Sequence, residues 1–291
     1  MASESTTKKT PTQDIFDRIK SELDNGTVPW HKPWVVNSCG IISHKGTGYS
    51  LRNRMLLMYP GEYLTFQQAL REGGCVRKGE HGQTVYFSKH ITVKNKDTGE
   101  DEDKYILRAW TVFRTEQCDN ITSKFEHLCK QGGEPKEDTE AMQIVTNYCG
   151  RCGVKRVNGG DQAFYHPDDH TVVVPGYQAY TERELYWNSM FHELGHSTAR
   201  YLNRKQGDTF GSSQYAREEL VAEICAALCL GKLGMDTTLV IQQSGAYLRS
   251  WQSKIRNLKP NEFGEACRLA EQAYNLIFNI THNTNKEGQD D

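Results

Sequence analysis

Residues 186–196 read YWNSMFHELGH, and this stretch decides how the second half of the chain is interpreted. On a helix, residues four apart share a face, so His192 and His196 can present both imidazoles to one ion. Glu193 follows the first His, where its carboxylate can accept a proton from a water molecule activated there. Two imidazoles with a coordination position left open suit zinc. The pattern predicts a divalent-metal hydrolase site, and a purely structural His pair is the alternative.

A third ligand is expected on a neighbouring helix. The extension that would add a Gly and a third His is absent, because Ala199 and Leu202 occupy those positions. Residues 215–228, YAREELVAEICAAL, predict a helix with an apolar stripe. Glu219 and Glu223 lie one turn apart beside that stripe, where an unpaired buried charge would be costly. Either carboxylate can therefore complete the site, and the alternative is that both face water.

Composition places limits on the class of protein. The chain has 291 residues, of which 37% are hydrophobic, and this length allows two domains. We expect no membrane partner, since no run of eighteen apolar residues occurs. Residues 1–12 are polar and lack the apolar core of a secretory signal, so we expect a disordered arm there. Nine scattered cysteines fit reduced thiols in the cytoplasm, which is the predicted location.

Charge is distributed unevenly along the chain. Residues 1–131 contain 19 Lys and Arg against 16 Asp and Glu, whereas the remainder contains 16 against 21. Within residues 45–96 there are nine basic residues and three acidic ones. Such an excess is typical of a phosphate-binding surface, although a solvated surface with a chance imbalance would look the same.

The pattern of elements predicts an α+β protein. The first half should contain a helix over 12–25, a short helix after an N-cap at Thr65, and a hairpin pairing 84–93 with 105–113. In the second half we expect short strands at 163–165 and 171–175, the metal helix, and helices near 246–257 and 260–280. The Gly- and Pro-containing segment 131–136 separates a domain at 1–131 from one at 137–281, and 282–291 forms a mobile tail.

Aromatic residues alternate with basic residues in the first domain. Bases stack on rings while cations hold phosphates, so this composition suits single-stranded nucleic acid. The alternative is that the rings are core residues. The candidate DNA-binding residues are Trp30, Lys32, Trp34, Arg52, Arg54, Phe66, Arg77 and Lys78.

Three segments of the first half carry a family resemblance: VPWHKPW at 28–34, TGYSLRN at 47–53 and YLTFQQALREGGCVRKGEHGQTVYF at 63–87. They resemble the N-terminal domain of ArdC-type antirestriction proteins, which is also found in plasmid primases of the TraC type. The second half, with HELGH followed by YAREELVAE, resembles the zincin-like metallopeptidase domain of that family. The resemblance covers about residues 20–235. It implies a small α+β DNA-binding domain followed by an α-rich, gluzincin-like peptidase domain.

The resemblance also implies roles for single residues. In gluzincins the metal-binding Glu comes first and an Asp or Asn in the supporting position follows four residues later, so Glu219 becomes the ligand and Glu223 orients a His. Glu193 becomes the general base, and Tyr215 is assigned as an oxyanion stabiliser. Ala222 is small enough to let the two helices approach. The implied cofactor is one divalent metal, zinc by preference.

The implied function is protection of incoming DNA from host restriction by a protein of a plasmid or another mobile element. It would bind single-stranded DNA, and a host protein would be the peptidase substrate. One alternative is a non-enzymatic DNA shield whose metal is only structural. An accessory factor for priming is another.

Overall fold

The computed structural model describes residues 10–32, 40–57, 59–94, 101–125, 138–204, 212–242 and 245–280. Several predictions fall outside these ranges. They are residues 1–9 of the predicted arm, the domain boundary at 131–136, the tail at 282–291 and the DNA contact of Trp34. The extension of the disordered arm to residue 12 is wrong, because Pro11 and Thr12 lie in the first helix, Pro11–Asp24.

Helix α1 (Pro11–Asp24) opens the described chain. The Thr10 side chain accepts a hydrogen bond from the Gln13 backbone N–H at 3.2 Å, and Pro11 occupies the first turn, where its missing N–H does no harm. The helix predicted over 12–25 is confirmed, and its buried face consists of Ile15, Phe16, Ile19 and Leu23. The chain then makes a short turn of 3-10 helix at Pro29–His31.

A four-stranded sheet dominates the first half, in the order β1-β2-β5-β4. Strand β1 is parallel to β2, and the other neighbours are antiparallel. The predicted hairpin is confirmed and longer than expected, with Gln83 opposite Val112 and Lys94 opposite Asp101. A smaller two-stranded sheet pairs β3 with β6. The strands are β1 (Ile41–Ser43), β2 (Gly61–Thr65), β3 (Cys75–Val76), β4 (Gln83–Lys94), β5 (Asp101–Arg114) and β6 (Cys118–Asp119).

Two short helices accompany this sheet: α2 (Leu51–Leu56) and α3 (Phe66–Arg71). The predicted cap of α3 is confirmed. The Gln68 backbone N–H donates to the Thr65 hydroxyl at 3.2 Å, and the Gln68 side chain accepts from the Thr65 N–H at 2.7 Å. This reciprocal pair fixes the start of α3 directly after β2.

The second half is rich in helices around a three-stranded sheet of order β7-β9-β8. Strands β8 and β9 match the prediction, whereas β7 was not predicted. Its four exposed residues, KRVN, lack the apolar alternation that identifies a strand. The elements are α4 (Asp138–Cys152), β7 (Lys155–Asn158), β8 (Phe164–His166), β9 (Thr171–Val174), α5 (Arg183–Ser197), α6 (Ser213–Lys232), α7 (Thr238–Gln242), α8 (Gly245–Arg256) and α9 (Pro260–Phe278).

Helix α6 lies between two hydrophobic cores. Leu220 and Ile224 belong to a core shared with α1, α2, α8 and α9. Cys225 and Leu230 belong to a second core, shared with α4, α5 and strand β9. Because α6 is buried on nearly all sides over most of its length, Glu218 and Glu223 lie in the interior. The first core thus joins residues from both halves of the sequence.

Within the described segments, no helix combines the length and apolar character needed to cross a bilayer.

Candidate metal centre

Helices α5 and α6 bring the predicted metal-binding residues together because they pack closely. Gly195 faces Ala222, and a Cβ atom at Gly195 would lie 3.1 Å from the Ala222 Cα. Only very small side chains permit such an approach. The Gly inside the HELGH segment and the Ala between Glu219 and Glu223 are therefore part of the site's construction.

His192, His196 and Glu219 each direct a ligand atom to one point, and these atoms lie within 4.8 Å of one another. The two Nε2 atoms are 3.2 Å apart, and Nε2 of His196 is 3.5 Å from Oε1 of Glu219. Nitrogens bound to a tetrahedral zinc ion at their usual distance would be about 3.3–3.4 Å apart. The spacing of the donors therefore fits a divalent ion. No other potential metal-binding group of His, Cys, Asp or Glu occurs in the described part of the chain.

The outer nitrogen of each imidazole faces a carboxylate. Nδ1 of His192 is 3.5 Å from Glu223, and Nδ1 of His196 is 3.4 Å from Glu218. A proton on Nδ1 leaves the Nε2 lone pair free for an ion and fixes the orientation of the ring. Glu223 thus has the supporting position predicted for it. The equivalent partner of His196, Glu218, was not predicted.

Arg204 holds Glu218 in place from the other side. Its guanidinium donates to both Glu218 oxygens, at 2.8 and 3.1 Å, and to the Gly195 carbonyl at 2.9 Å. Arg204 and Glu218 are both buried. The fork geometry and the carbonyl contact tie the end of α5 to the start of α6.

Glu219 is held between several partners. Its Oε2 lies 3.2 Å from Nζ of Lys254, and it also contacts the hydroxyl of Tyr215. Burial opposes ionisation, yet His196, His192 and Lys254 lower the pKa of Glu219 to about 2. Glu219 is therefore ionised at neutral pH and available as an anionic ligand.

The surroundings also favour a positive charge at His196. Burial by itself lowers its pKa, but hydrogen bonds to Glu218 and Glu219 and the charge of Glu193 raise it to about 9. A site that stabilises a cation this strongly is suited to hold a divalent ion, which must then displace a proton.

Glu193 is 8% exposed and lies beside the ligands without joining them. Its charge contributes to the raised pKa values of His196 and Tyr215. For Tyr215, burial is the largest cause, followed by Glu219. The phenol therefore stays protonated at neutral pH and remains able to donate a hydrogen bond. Glu193 interacts with His196 and Tyr215 with Glu219, and their roles as general base and oxyanion stabiliser stay predictions.

Sequence reasoning missed four supporting residues: His31, Arg204, Glu218 and Lys254. Glu218 offered one signal, since it precedes Glu219 in a helix that is otherwise apolar. The other three lie 14 or more positions from their partners in sequence, and no local pattern connects them.

The structure contradicts two of the predicted DNA contacts, those of Trp30 and Arg54. Trp30 is fully buried and packs edge-on against Trp251 at 5.5 Å, and Arg54 is only 7% exposed. DNA contacts through these two residues are therefore wrong, because a base or phosphate cannot reach them. Lys32 is largely buried against Glu22. Trp30 is a core residue, the alternative stated for the aromatics.

Other candidates remain on the surface. Phe66 is 46% exposed on α3, and Lys78 is exposed in the turn after β3. Strand β3 contacts α3. Arg52 is half-buried. Arg77 is exposed but already paired with Glu80 at 3.1 Å.

Comparison with known proteins agrees with this arrangement. The sequence profile of the N-terminal domain of anti-restriction factor ArdC matches residues 9–117, and that of a zincin-like metallopeptidase matches residues 143–266. The metal-free crystal structure of the antirestriction ArdC protein from plasmid R388 superposes with a TM-score of 0.72 and 26% identity. That match covers 92% of this chain and 96% of ArdC. The Mn(II)-bound structure of the same protein gives 0.72 at 25% identity, covering 95% and 100%.

Curated relatives include longer proteins. A DNA primase TraC of Escherichia coli is 28% identical over 93% of this chain, which spans 27% of the primase. An uncharacterized protein of Sinorhizobium fredii, y4eC, is 25% identical over 92% of both chains. The chain thus covers about a quarter of the TraC primase.

The fold and the site define a zincin-like metallopeptidase domain joined to a smaller, strand-rich domain. That smaller domain is the ArdC N-terminal domain, so the chain combines the two domains that the profiles identify and shares the fold of the R388 antirestriction ArdC protein.

Proposed function

We propose that the chain is an antirestriction protein of a mobile element, acting in the cytoplasm. Its N-terminal domain binds single-stranded DNA, and its metal centre cleaves peptide bonds, with a host protein as the substrate. The observation that carries this proposal is the convergence of His192, His196 and Glu219 beside the non-ligand carboxylate of Glu193. The name of the R388 relative supports the antirestriction role.

The chemistry follows from the positions of the side chains. A zinc ion held by the two His and Glu219 would supply a Lewis acid at the site; the Mn(II) in the R388 relative supports a divalent ion. Glu193 accepts a proton from the attacking water and returns it to the leaving amine. Tyr215 donates a hydrogen bond toward the oxygen that becomes negative. A purely structural site would have no need of Glu193.

The substitution Glu193→Gln tests the peptidase activity. We expect the variant to keep its metal, measured by elemental analysis, and its DNA binding. It should lose cleavage of β-casein peptides, followed by mass spectrometry with zinc-loaded protein. Loss of metal from the variant would contradict the role given to Glu193.

An experiment in cells distinguishes the peptidase function from the alternative of a non-enzymatic DNA shield. Unmodified plasmid DNA is transferred into a restricting host that produces the wild type or Glu193→Gln, and surviving transferants are counted. We expect protection to be lost in the variant. Protection that persists in Glu193→Gln would favour the non-enzymatic DNA shield instead.

DNA binding is assigned to the surface of α3 and the turn after β3. Phe66 offers a ring for stacking, and Lys78 offers a cation for the backbone. We expect Phe66→Ala to weaken binding of an oligothymidine by about 1–3 kcal/mol, measured by fluorescence anisotropy. Phe164→Ala is the matched control, since Phe164 is equally exposed at 46% but lies in the peptidase domain. Equal effects of the two substitutions would contradict this assignment.

A further inference from the structure

The turn at Pro29–His31 belongs to the ArdC N-terminal domain but is buried against the peptidase domain. Trp30 and His31 are 0% and 1% exposed. Thr237 donates a hydrogen bond to the His31 carbonyl at 2.9 Å, which fixes the backbone of the turn. Two chains of contacts lead from this turn to the metal-binding residues.

The first chain runs through His31. Its Nε2 lies 2.9 Å from Oε1 of Glu223, and the other oxygen of Glu223 is 3.5 Å from Nδ1 of His192. Glu223 is 4% exposed, so water cannot replace either partner. The carboxylate is therefore positioned jointly by a metal-binding His and by a His of the other domain.

The second chain runs through Trp30. Its ring packs edge-on against Trp251 at 5.5 Å, and Nζ of Lys254 lies 4.5 Å from the centre of the Trp251 ring. Lys254 in turn lies 3.2 Å from Glu219. The same turn thus supports ligands on two sides, His192 through Glu223 and Glu219 through Lys254.

We propose that the Trp30–His31 turn is part of the metal centre, with His31 as a positioning residue that acts through Glu223 on His192. This inference rests on the metal site of the proposed function. This role explains why Trp30 and His31 are buried although they lie in the domain that is proposed to bind DNA. The peptidase site is then complete only when the ArdC N-terminal domain is docked on α6.

Metal affinity of the full-length protein tests this role. Zinc is titrated in competition with a chromophoric chelator, using wild type, His31→Ala and His31→Gln. We expect His31→Ala to bind zinc about 10–100-fold more weakly, the usual effect of losing a partner of a metal-binding His. His31→Gln retains an N–H donor and should recover most of the affinity. Wild-type affinity in His31→Ala would overturn the proposal.

His44→Ala is the matched control. His44 is another buried His of the same domain, and it contacts Glu62 and, at 2.7 Å, Glu72, away from the ligands. We expect zinc affinity in this variant to equal that of wild type. An equal loss in His44→Ala and His31→Ala would show a general effect of domain damage and would also overturn the proposal.

A double substitution identifies the route. If His31 acts through Glu223, the loss in His31→Ala combined with Glu223→Gln should be no larger than in Glu223→Gln alone. Additive losses would overturn this route. Failure of the metal site itself would look different, because the wild type would then bind no zinc.

Discussion

Gly195 and Ala222 are in direct contact across helices α5 and α6, so close that a Cβ atom on Gly195 would lie 3.1 Å from the Ala222 Cα. One helix carries both His ligands and the other carries Glu219. The distance between the helices therefore sets the distance between the ligands. We therefore expect Gly195 to contribute to metal binding although it is not a ligand.

Gly195→Ala is expected to weaken zinc binding, because the helices must move apart by a few tenths of an ångström. Gly150→Ala in α4 is the control, since a Cβ there meets nothing within 4 Å. It should leave zinc affinity unchanged and stabilise the fold by about 0.5–1 kcal/mol. Chelator competition and urea unfolding measure the two effects. Equal zinc affinity in Gly195→Ala and wild type would show that the contact does not set the ligand spacing.

Glu219 and Glu223 should differ in their effect on the metal. Glu219→Ala leaves two protein ligands, so nearly all metal should be lost. Glu223→Ala removes only the partner of His192 and should weaken binding about 10–100-fold. The control Glu265→Ala removes a half-exposed carboxylate that pairs with Arg217 at 3.3 Å, and it should leave the metal affinity unchanged. Metal titrations decide, and an intact site in Glu219→Ala beside an empty one in Glu223→Ala would reverse the assignment.

Arg204→Met should destabilise the protein because it leaves the buried Glu218 carboxylate without its bidentate partner. Breaking a buried pair in this way costs about 3–5 kcal/mol. Urea unfolding with a metal chelator present measures the loss. The second substitution Glu218→Gln, made in the Arg204→Met background, should recover part of it by removing the charge. A loss below about 1 kcal/mol would mean that water reaches Glu218.

His170 should make stability depend on pH. It is 5% exposed, accepts a hydrogen bond at Nδ1 from the Tyr165 hydroxyl at 2.7 Å, and donates from Nε2 to the Cys152 carbonyl at 3.1 Å. Burial lowers its pKa, so the unfolded chain binds a proton first as the pH falls. This contribution to stability is present above about pH 6.5 and is lost below it, as the pH falls through the folded-state pKa.

The substitution His170→Asn tests this dependence. Asn tolerates the left-handed backbone at this position, where φ is 55°. Unfolding by urea at pH 5, 6 and 7.5, with chelator throughout, should show a flatter pH dependence in the variant than in wild type. Parallel curves for the two proteins would assign the dependence to other groups.

Local sequence determined much of this protein. Three features could be predicted from the sequence: the four-residue spacing of His192 and His196, the cap formed by Thr65 and Gln68, and the β4–β5 hairpin. Each of them depends only on neighbours within one helical turn or one strand pair. The pairing of HELGH with the helix over 215–228 was also readable, since a buried carboxylate needs a cationic partner.

Tertiary structure decided the rest. Only the packing of α1 and the Pro29–His31 turn against α6 shows that Trp30 is a core residue and that His31 reaches Glu223 from 192 positions away. Arg204 and Lys254 likewise meet their partners only after the helices dock. Whether a charged side chain is buried and paired depends on which surfaces pack against each other. Local sequence patterns do not predict that packing between distant segments.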